Sequence, residues 1–482
     1  MGIINMPEAD KGITERRNSI LADLRGIVPA EVIIDTDDQM RPFETDAFTV
    51  YRQMPLAVML PRTTEQVSAI MAYCHQHGIK VIARGAGTSL TGGALPTADA
   101  IILGISKMRD VLDIDLDNRT IRVQTGITNI NVTRAVEAEN FFYAPDPSSQ
   151  IACTVAGNIG MNSGGAHCLK YGVTTNNIMG MTVVLADGEV IEIGGDFYET
   201  DGYDLMGLMT GSEGMLGIVT EVSLKVLRSP EAARPLIMGF GTNEQAGACT
   251  AAIIASGIIP VAIEFMDKPS IHASEAFAKA GYPLDVESLL IVEVEGSDDE
   301  IDYLLEKLTA IASQHNPSYM KVSGSAEESA AIWKGRKSAF GALGQILPNY
   351  LCMDGVIPTG QLPQVLHRIN ELKAEYKLEV ANIFHAGDGN LHPVILFDPQ
   401  VEGETERAER FGADILKLCV DVGGCLTGEH GVGIEKRDLM SYQYNEIELA
   451  QQRRIKTAFD AKWLLNPAKV FPLDSRLADE AA

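Results

Sequence analysis

The chain has 482 residues, more than one hydrophobic core can serve, so two or three domains are expected. Its 46 % apolar and 22 % charged residues are an ordinary globular balance. A net charge of −26 leaves no basic face to displace counterions from a nucleic acid or to sit on anionic lipid, so neither is an expected partner.

Residues 1–50 read as an N-terminal extension, with a helix over Glu15–Arg25 and a polar connector. A short strand, Leu56–Leu60, leads into a helix over Thr63–His77. Thr64 is placed to cap that helix, and Val67, Ile70, Met71 and Cys74 share one face. Strands follow at Lys80–Ala83, Ala100–Leu103, Val111–Asp115 and Thr120–Gln124, the last two joined by a turn at Asp115–Asn118. A helix over Asn129–Glu139 precedes a hairpin of Val183–Leu185 with Val190–Ile193 around Asp187-Gly188. Ile218–Leu227 is the last strand of this region. The prolines and charges of Ser229–Pro235 mark a boundary, so a middle domain spans 51–230. From 231 to 482 short strands alternate with helices, an α+β pattern: strand Leu289–Val294, helices Asp299–Gln314 and Leu362–Tyr376, a hairpin over Val380–Phe397 and a glycine-rich loop at Gly423–Gly433. The longest apolar stretch, Ala251–Ile263, is broken by Gly257 and Pro260, and no transmembrane helix is expected. Met1–Lys11 has no secretory pattern, and Met6 stands where a myristoylation signal at Gly2 needs Ser or Thr.

Three glycine-rich segments carry the first chemical signal. Arg84–Gly93 follows a strand, and its glycines let consecutive N–H groups converge on phosphate oxygens, with Thr88, Ser89 and Thr91 adding hydroxyls. It is no dinucleotide fingerprint, because Leu90 takes the third glycine's place and strands follow. It is no P-loop either, because Gly92-Gly93 offers no lysine. Thr154–Gly165 and Gly211–Val219 are the other two segments. Three such loops suit a long cofactor approached closely by backbone, as a flavin with its diphosphate tail would be.

The second signal is histidine. His385 and His392 flank the turn Gly387-Asp388-Gly389-Asn390, and directly opposed hairpin residues have Cβ atoms about 4.5–5.5 Å apart. Two imidazoles so placed can share one metal. In Gly428–Gly433, adjacent side chains of an extended segment point opposite ways, so Glu429 can bind the metal while His430 faces a substrate. Zinc, manganese and iron all suit such ligands. Two histidines and a carboxylate also match the facial triad of non-haem iron oxygenases, a reading that leaves the glycine loops unexplained. A flavin-binding subunit without turnover is the other rival, and the intact histidine and glutamate set argues against it. Arg336, in Trp333–Lys337, offers a fork suited to a carboxylate, with Lys337 as the alternative clamp.

Residues 51–230 resemble the FAD-binding domain of the vanillyl-alcohol oxidase (PCMH) type. The likeness rests on Arg84–Gly93, Pro145-Asp146-Pro147, Thr154–Gly165 with Tyr171-Gly172, and Gly211–Val219. It implies two packed α+β subdomains around FAD, followed by an α+β substrate domain with an antiparallel sheet. The FAD contacts it implies are Arg84, Gly85, Ala86, Gly87, Thr88, Ser89, Gly92, Pro145, Asp146, Thr154, Gly157, Asn158, Asn162, Ser163, Gly164, Gly165, Glu213, Gly214, Gly217, Ile218 and Val219. Some members bind flavin covalently through His or Cys. The Arg84–Gly93 loop has neither, although His167 and Cys168 lie near the second segment, so non-covalent FAD is expected.

His385–His392, Gly428–Gly433 and Leu464–Phe471 resemble the C-terminal domain shared by glycolate oxidase FAD subunits, D-lactate dehydrogenases and D-2-hydroxyglutarate dehydrogenases. Met353–Pro358 is most similar to the glycolate oxidase subunits. The resemblance implies a divalent metal on His385, His392 and Glu429, His430 as base, Arg336 on the substrate carboxylate, and Asn466 at the FAD. The implied reaction takes a small 2-hydroxy acid, glycolate or D-lactate, to the 2-oxo acid with hydride passing to flavin. Phe340, Leu351 and Cys352 stand where a 2-hydroxyglutarate enzyme would need polar groups, which favours a short substrate. The implied partners are an iron–sulfur subunit and a second flavin-domain subunit. The seven cysteines are irregularly spaced with no Cys-x-x-Cys, as expected of free thiols in a reducing compartment. A cytoplasmic protein is expected, peripheral at the inner membrane through a partner.

Overall fold

The computed structural model describes residues 3–197 and 202–473. Gly2 and the outermost ends of the expected N- and C-terminal domains lie outside the described residues. The chain divides into two compact units. Of the described residues, the first takes Ile4–Gly164, Val173–Arg228 and 429–473; the second takes Ile3, Gly165–Gly172 and Ser229–Gly428.

The first unit holds two main sheets. One is four-stranded, in the order Ile33–Ile34, Ala57–Met59, Ala100–Gly104, Lys80–Arg84, with the last three strands parallel. Its central strands are continuous apolar runs, as parallel strands covered on both faces must be. Successive side chains go to opposite faces. Ala57, Met59, Val81, Ile101 and Leu103 join one core, while Val58, Ile82, Ala100 and Ile102 join another. The larger core takes the predicted face of helix Thr64–His77 (Val67, Ile70, Met71, Cys74) and Ile20, Leu21 and Leu24 of helix Arg17–Ile27. The N-terminal extension is thus part of this core. The cap of Thr64–His77 is Thr63, whose hydroxyl accepts the Gln66 N–H; Thr64, the expected cap, bonds Thr220 instead. Gly78 ends the helix at φ +65°, a conformation a side chain would oppose.

The other main sheet is five-stranded and antiparallel, in the order Val111–Asp115, Thr120–Gln124, Ile218–Lys225, Ile178–Val184, Val190–Gly194. Both predicted hairpins are present in it. The tail runs back beside Lys80–Arg84: Val81 donates its N–H to Leu464 at 2.9 Å and accepts from Asn466 at 2.7 Å.

The second unit is built on a nine-stranded antiparallel sheet. From one edge it runs Tyr319–Val322, Ala232–Phe240, Ser288–Gly296, Ala262–Asp267, Glu379–His385. Glu379–His385 then pairs with both Asn390–Leu391 and Pro393–Phe397. Strand Ala232–Phe240 begins inside the expected boundary segment and includes Pro235. Proline lacks the N–H a ladder needs, and Pro235 lies just where pairing with Tyr319–Val322 stops at Leu236. Helices Asp298–Ser313, Ala326–Leu343 and Leu362–Tyr376 belong to the same unit.

Candidate cofactor and metal sites

In the first unit the Arg84–Gly93 loop leaves its strand and crosses the start of helix Val155–Met161. This helix replaces the loop expected over Thr154–Gly165; Thr154 caps it by accepting the Gly157 N–H at 3.3 Å. Gly85 lies so near that a Cβ there would fall 2.2 Å from Thr154 Oγ1. Gly87 has φ +78°. Among the described residues, the N–H groups of Ala86, Gly87 and Thr88 meet no protein acceptor. Ser89 folds the loop on itself by accepting the N–H groups of Thr91 and Gly93, both at 3.3 Å. The Arg84 guanidinium packs against Gly87 of the same loop, where a Cβ would fall 2.1 Å from its Nη2, and its hydrogen bonds go to the N-terminal segment. It donates to the carbonyls of Thr45 (2.9 Å) and Pro42 (3.3 Å) and lies over the Phe43 ring, so it ties down the N-terminal segment.

The other expected contacts divide by role. Asn129 donates to the carbonyl of Pro145 (3.0 Å) and to Asn158 Oδ1 (3.1 Å), locking two segments together; Asp146 is buried beside them in sequence. Asn162 closes the helix at φ 52° and its Oδ1 accepts the Thr175 N–H, while the Ser163 carbonyl accepts from Thr174. Gly214 and Gly217 are packing glycines, since Cβ atoms there would meet Ala83 at 2.5 Å and Val183 at 2.6 Å. Ile218 and Val219 are the first residues of a sheet strand. Asn466 donates to the carbonyls of Gly93 (3.1 Å) and Glu213 (2.6 Å), joining the tail to the first and third glycine segments.

All three glycine segments reach the loop Glu429–Gly433. Thr91 Oγ1 donates to the His430 carbonyl at 3.3 Å. The Gly164 N–H donates to Glu429 Oε2 at 3.0 Å. Glu213, buried at φ 53°, accepts the N–H groups of Val432 (2.6 Å) and Gly433 (2.8 Å). Burial pushes the Glu213 carboxyl up in pKa, and the two N–H donors and Lys436 oppose that. Its side chain is therefore committed to this loop. Gly431, at φ +80°, admits Glu213 and Met161 where a Cβ would clash. The loop is not extended: Glu429 Oε1 and His430 Nε2 lie 4.0 Å apart, so the two side chains converge rather than point opposite ways.

In the second unit the hairpin is buried. His385 pairs with Asn390, and Asn382 with Pro393, which sets His392 across from Ile383. His385 and His392 are therefore diagonal neighbours on one face, not direct opposites. Their rings meet edge to face with centroids 5.2 Å apart, and they offer ligand nitrogens within 4.8 Å of each other. Glu264, on strand Ala262–Asp267, lies directly across from His385, and its Oε1 is 2.7 Å from His385 Nδ1. Its Oε2 is 2.5 Å from Nη2 of Arg336, itself buried on helix Ala326–Leu343. Four residues along that helix, Phe340 presents its ring edge-on to His392. Cys352 Sγ is 3.9 Å from His392 Nδ1.

Asp354, fully buried, accepts from the Thr427 hydroxyl and from the Gly428 N–H, and Gly428 packs on Asn390. The chain is thus anchored to the second unit up to Gly428, and Glu429 is the next residue. Glu264 was missed in the sequence reading. A lone glutamate inside the apolar run Ala262–Met266 was the available signal, since a carboxylate is buried only with partners. His167, Cys168 and Gly165 belong to the second unit, where His167 Nε2 lies 3.2 Å from Glu293 and its ring against Trp333.

The family described as FAD linked oxidases, C-terminal domain, matches residues 229–470, and an FAD binding domain matches 55–194. The chain belongs to the FAD-linked oxidases. It is 46 % identical to the glycolate oxidase subunit GlcD of Escherichia coli (strain K12) over 97 % of this chain and 93 % of that one. Identity to the subunit of the same name from Bacillus subtilis (strain 168) is 37 %, covering 90 % and 93 %. With the D-lactate dehydrogenase of Archaeoglobus fulgidus it is 32 %, covering 86 % and 90 %. Among solved structures, 4-ethylphenol oxidase from Gulosibacter chungangensis superposes with a TM-score of 0.81 at 17 % identity, over 98 % of this chain and 100 % of that one. p-Cresol methylhydroxylase gives 0.79 at 17 % over 96 % and 98 %. The fold is the α+β flavoprotein fold of these oxidases. As an FAD-linked oxidase the chain is a FAD-dependent oxidoreductase, and the first loop fits that cofactor. Its unengaged N–H groups at Ala86–Thr88 are the donors a diphosphate needs, and glycines at 85 and 87 let the loop backbone pass close to Thr154 and to the Arg84 guanidinium.

Proposed function

We propose that this chain oxidises a small 2-hydroxy acid, glycolate or D-lactate, to the 2-oxo acid and passes the electrons to a separate protein. The observation that carries the reading is the convergence of Thr91, Gly164 and Glu213, one from each glycine segment, on the loop that bears Glu429 and His430. A flavin-binding framework that grips a glutamate–histidine pair through its backbone keeps a base where the flavin's reaction happens. The names of the relatives, glycolate oxidase subunit and D-lactate dehydrogenase, support the substrate class.

FAD supplies the two-electron acceptor chemistry when bound. His385 and His392, with Glu429 following the anchored Gly428, would hold a divalent zinc, manganese or iron ion, which would supply Lewis acidity toward a substrate oxygen. Arg336 pairs with the substrate carboxylate. His430 accepts the α-hydroxyl proton on a ring nitrogen, a task that suits an imidazole near neutral pH. Phe340 and Cys352, close to His392, leave a short apolar wall that favours a small substituent on Cα. Ala86, Gly87, Thr88 and Ser89 hold the diphosphate, without a covalent link to the flavin. A cytoplasmic location, with an iron–sulfur subunit and a second flavin-domain subunit as partners, completes the proposal.

Anaerobic mixing of the holoprotein with glycolate, D-lactate, L-lactate and D-2-hydroxyglutarate, followed by flavin absorbance, tests it. Bleaching by glycolate or D-lactate is expected. A flavin that bleaches with 2-hydroxyglutarate alone, or with none of the four, would sink the substrate assignment.

A further inference from the structure

We propose that Glu264 is a positioning residue that fixes the His385 imidazole and the Arg336 guanidinium from one carboxylate. The inference deepens the reading above and rests on its metal site. Glu264 is fully buried within strand Ala262–Asp267, and a carboxylate at that depth persists where its oxygens are engaged. Each oxygen has its own partner. Oε1 lies 2.7 Å from His385 Nδ1, and Oε2 lies 2.5 Å from Arg336 Nη2.

The first contact is set by backbone. Glu264 and His385 are directly paired residues of adjacent antiparallel strands, so their separation follows from the sheet register and not from a flexible reach. An ionised carboxylate can only accept, so Nδ1 of His385 carries the proton and donates it. The lone pair then stays on Nε2, the form in which an imidazole ligates a metal. His392 is held differently, with Nδ1 3.9 Å from the Cys352 thiol, a weak partner.

The second contact orients the clamp. Arg336 is 3 % exposed, and among the described residues its Nε meets no hydrogen-bond partner. Glu264 occupies one end of the guanidinium fork and leaves a buried donor for a substrate carboxylate. One carboxylate therefore fixes the spacing between the group that would bind the hydroxyl side of the substrate and the group that would bind its carboxylate.

The test titrates chelator-stripped holoprotein with Mn²⁺ and with Zn²⁺ by calorimetry, comparing the native chain, Glu264→Gln and Glu264→Asp. Glu264→Gln should bind the ion about 10–100-fold more weakly, the range for removing a partner of a metal-bound histidine. It should also raise KM for the hydroxy acid, because Arg336 loses its anchor, with retained FAD absorbance as the control that the chain has folded. Glu264→Asp keeps the charge at shorter reach and should fall between the two; it carries the test if Glu264→Gln does not fold. Ion affinity and KM equal to the native chain in either variant overturn the proposal. A native chain that takes up no ion refutes the metal reading itself, and Glu264's role with it.

Discussion

Lys469 is fully buried in the first unit, its ammonium donating to the carbonyls of Leu95 and Pro467. Burial pushes its pKa down to about 7 from an ordinary 10.5; Asp46 opposes that and Arg437 adds to it. The sign of the consequence is fixed by which state holds more protons. Above the ordinary value both states are neutral and burial costs nothing. As pH falls toward 7 the unfolded chain takes the proton first, so the folded state loses stability, by up to about 1.4 kcal/mol per pH unit. Below 7 both states are protonated and the loss stops growing. The melting temperature should therefore rise with pH across the alkaline range, and Lys469→Met should flatten that rise; parallel curves for the two proteins would contradict it. His430 is tested by rate. His430→Ala should slow flavin reduction by about 10²–10⁴-fold in stopped flow while FAD stays bound. Loss of the ion from that variant would reassign His430 as a ligand.

At the level of elements, the Arg84–Gly93 loop depends on how closely it passes the helix Val155–Met161. Gly85→Ala would set a methyl group 2.2 Å from Thr154 Oγ1. Either Thr154 gives up its cap, at about 1 kcal/mol, or the loop lifts and its N–H groups lose their aim. FAD affinity should drop by about ten-fold or more, read by fluorescence on dilution. Retention of FAD equal to the native chain would show that the loop does not hold the cofactor. This loop was legible in the sequence because glycine spacing after a strand is a local signal, and so were the helices Thr64–His77 and Leu362–Tyr376 and both hairpins of the five-stranded sheet. The Thr154 helix was not, because Gly157 and Gly160 lower helix propensity and the cap and packing that override it are tertiary. The diagonal placing of His385 and His392 was hidden for a related reason. A residue count gives the turn, but the register is set by Asn382 facing Pro393 and by the neighbouring strand. Glu264 and Glu213, which hold the histidine and the loop, lie more than a hundred residues from what they grip, and spacing says nothing at that range.

At the scale of the whole molecule, electrons that reach the flavin need a way out. The reduced flavin must be reoxidised before a second turnover, and these residues carry few means of doing so. No Cys-x-x-Cys occurs in the sequence, and among the described residues the cysteines form no disulfide and most are buried. The first glycine loop is not a dinucleotide fingerprint, since Leu90 replaces its third glycine and a helix does not follow. Among the described residues no helix is long and apolar enough to cross a membrane. The relatives from Escherichia coli and Bacillus subtilis are each named as a subunit. On the proposal that the electrons pass to a separate protein, the isolated holoprotein should turn over quickly with an artificial dye and slowly with oxygen, and should leave NAD unreduced. Comparing initial rates with the dye, with air-saturated buffer and with NAD at one hydroxy-acid concentration measures all three. Peroxide formed in step with substrate at the rate seen with the dye would make the chain a self-sufficient oxidase, and the partner would have no electrons to collect.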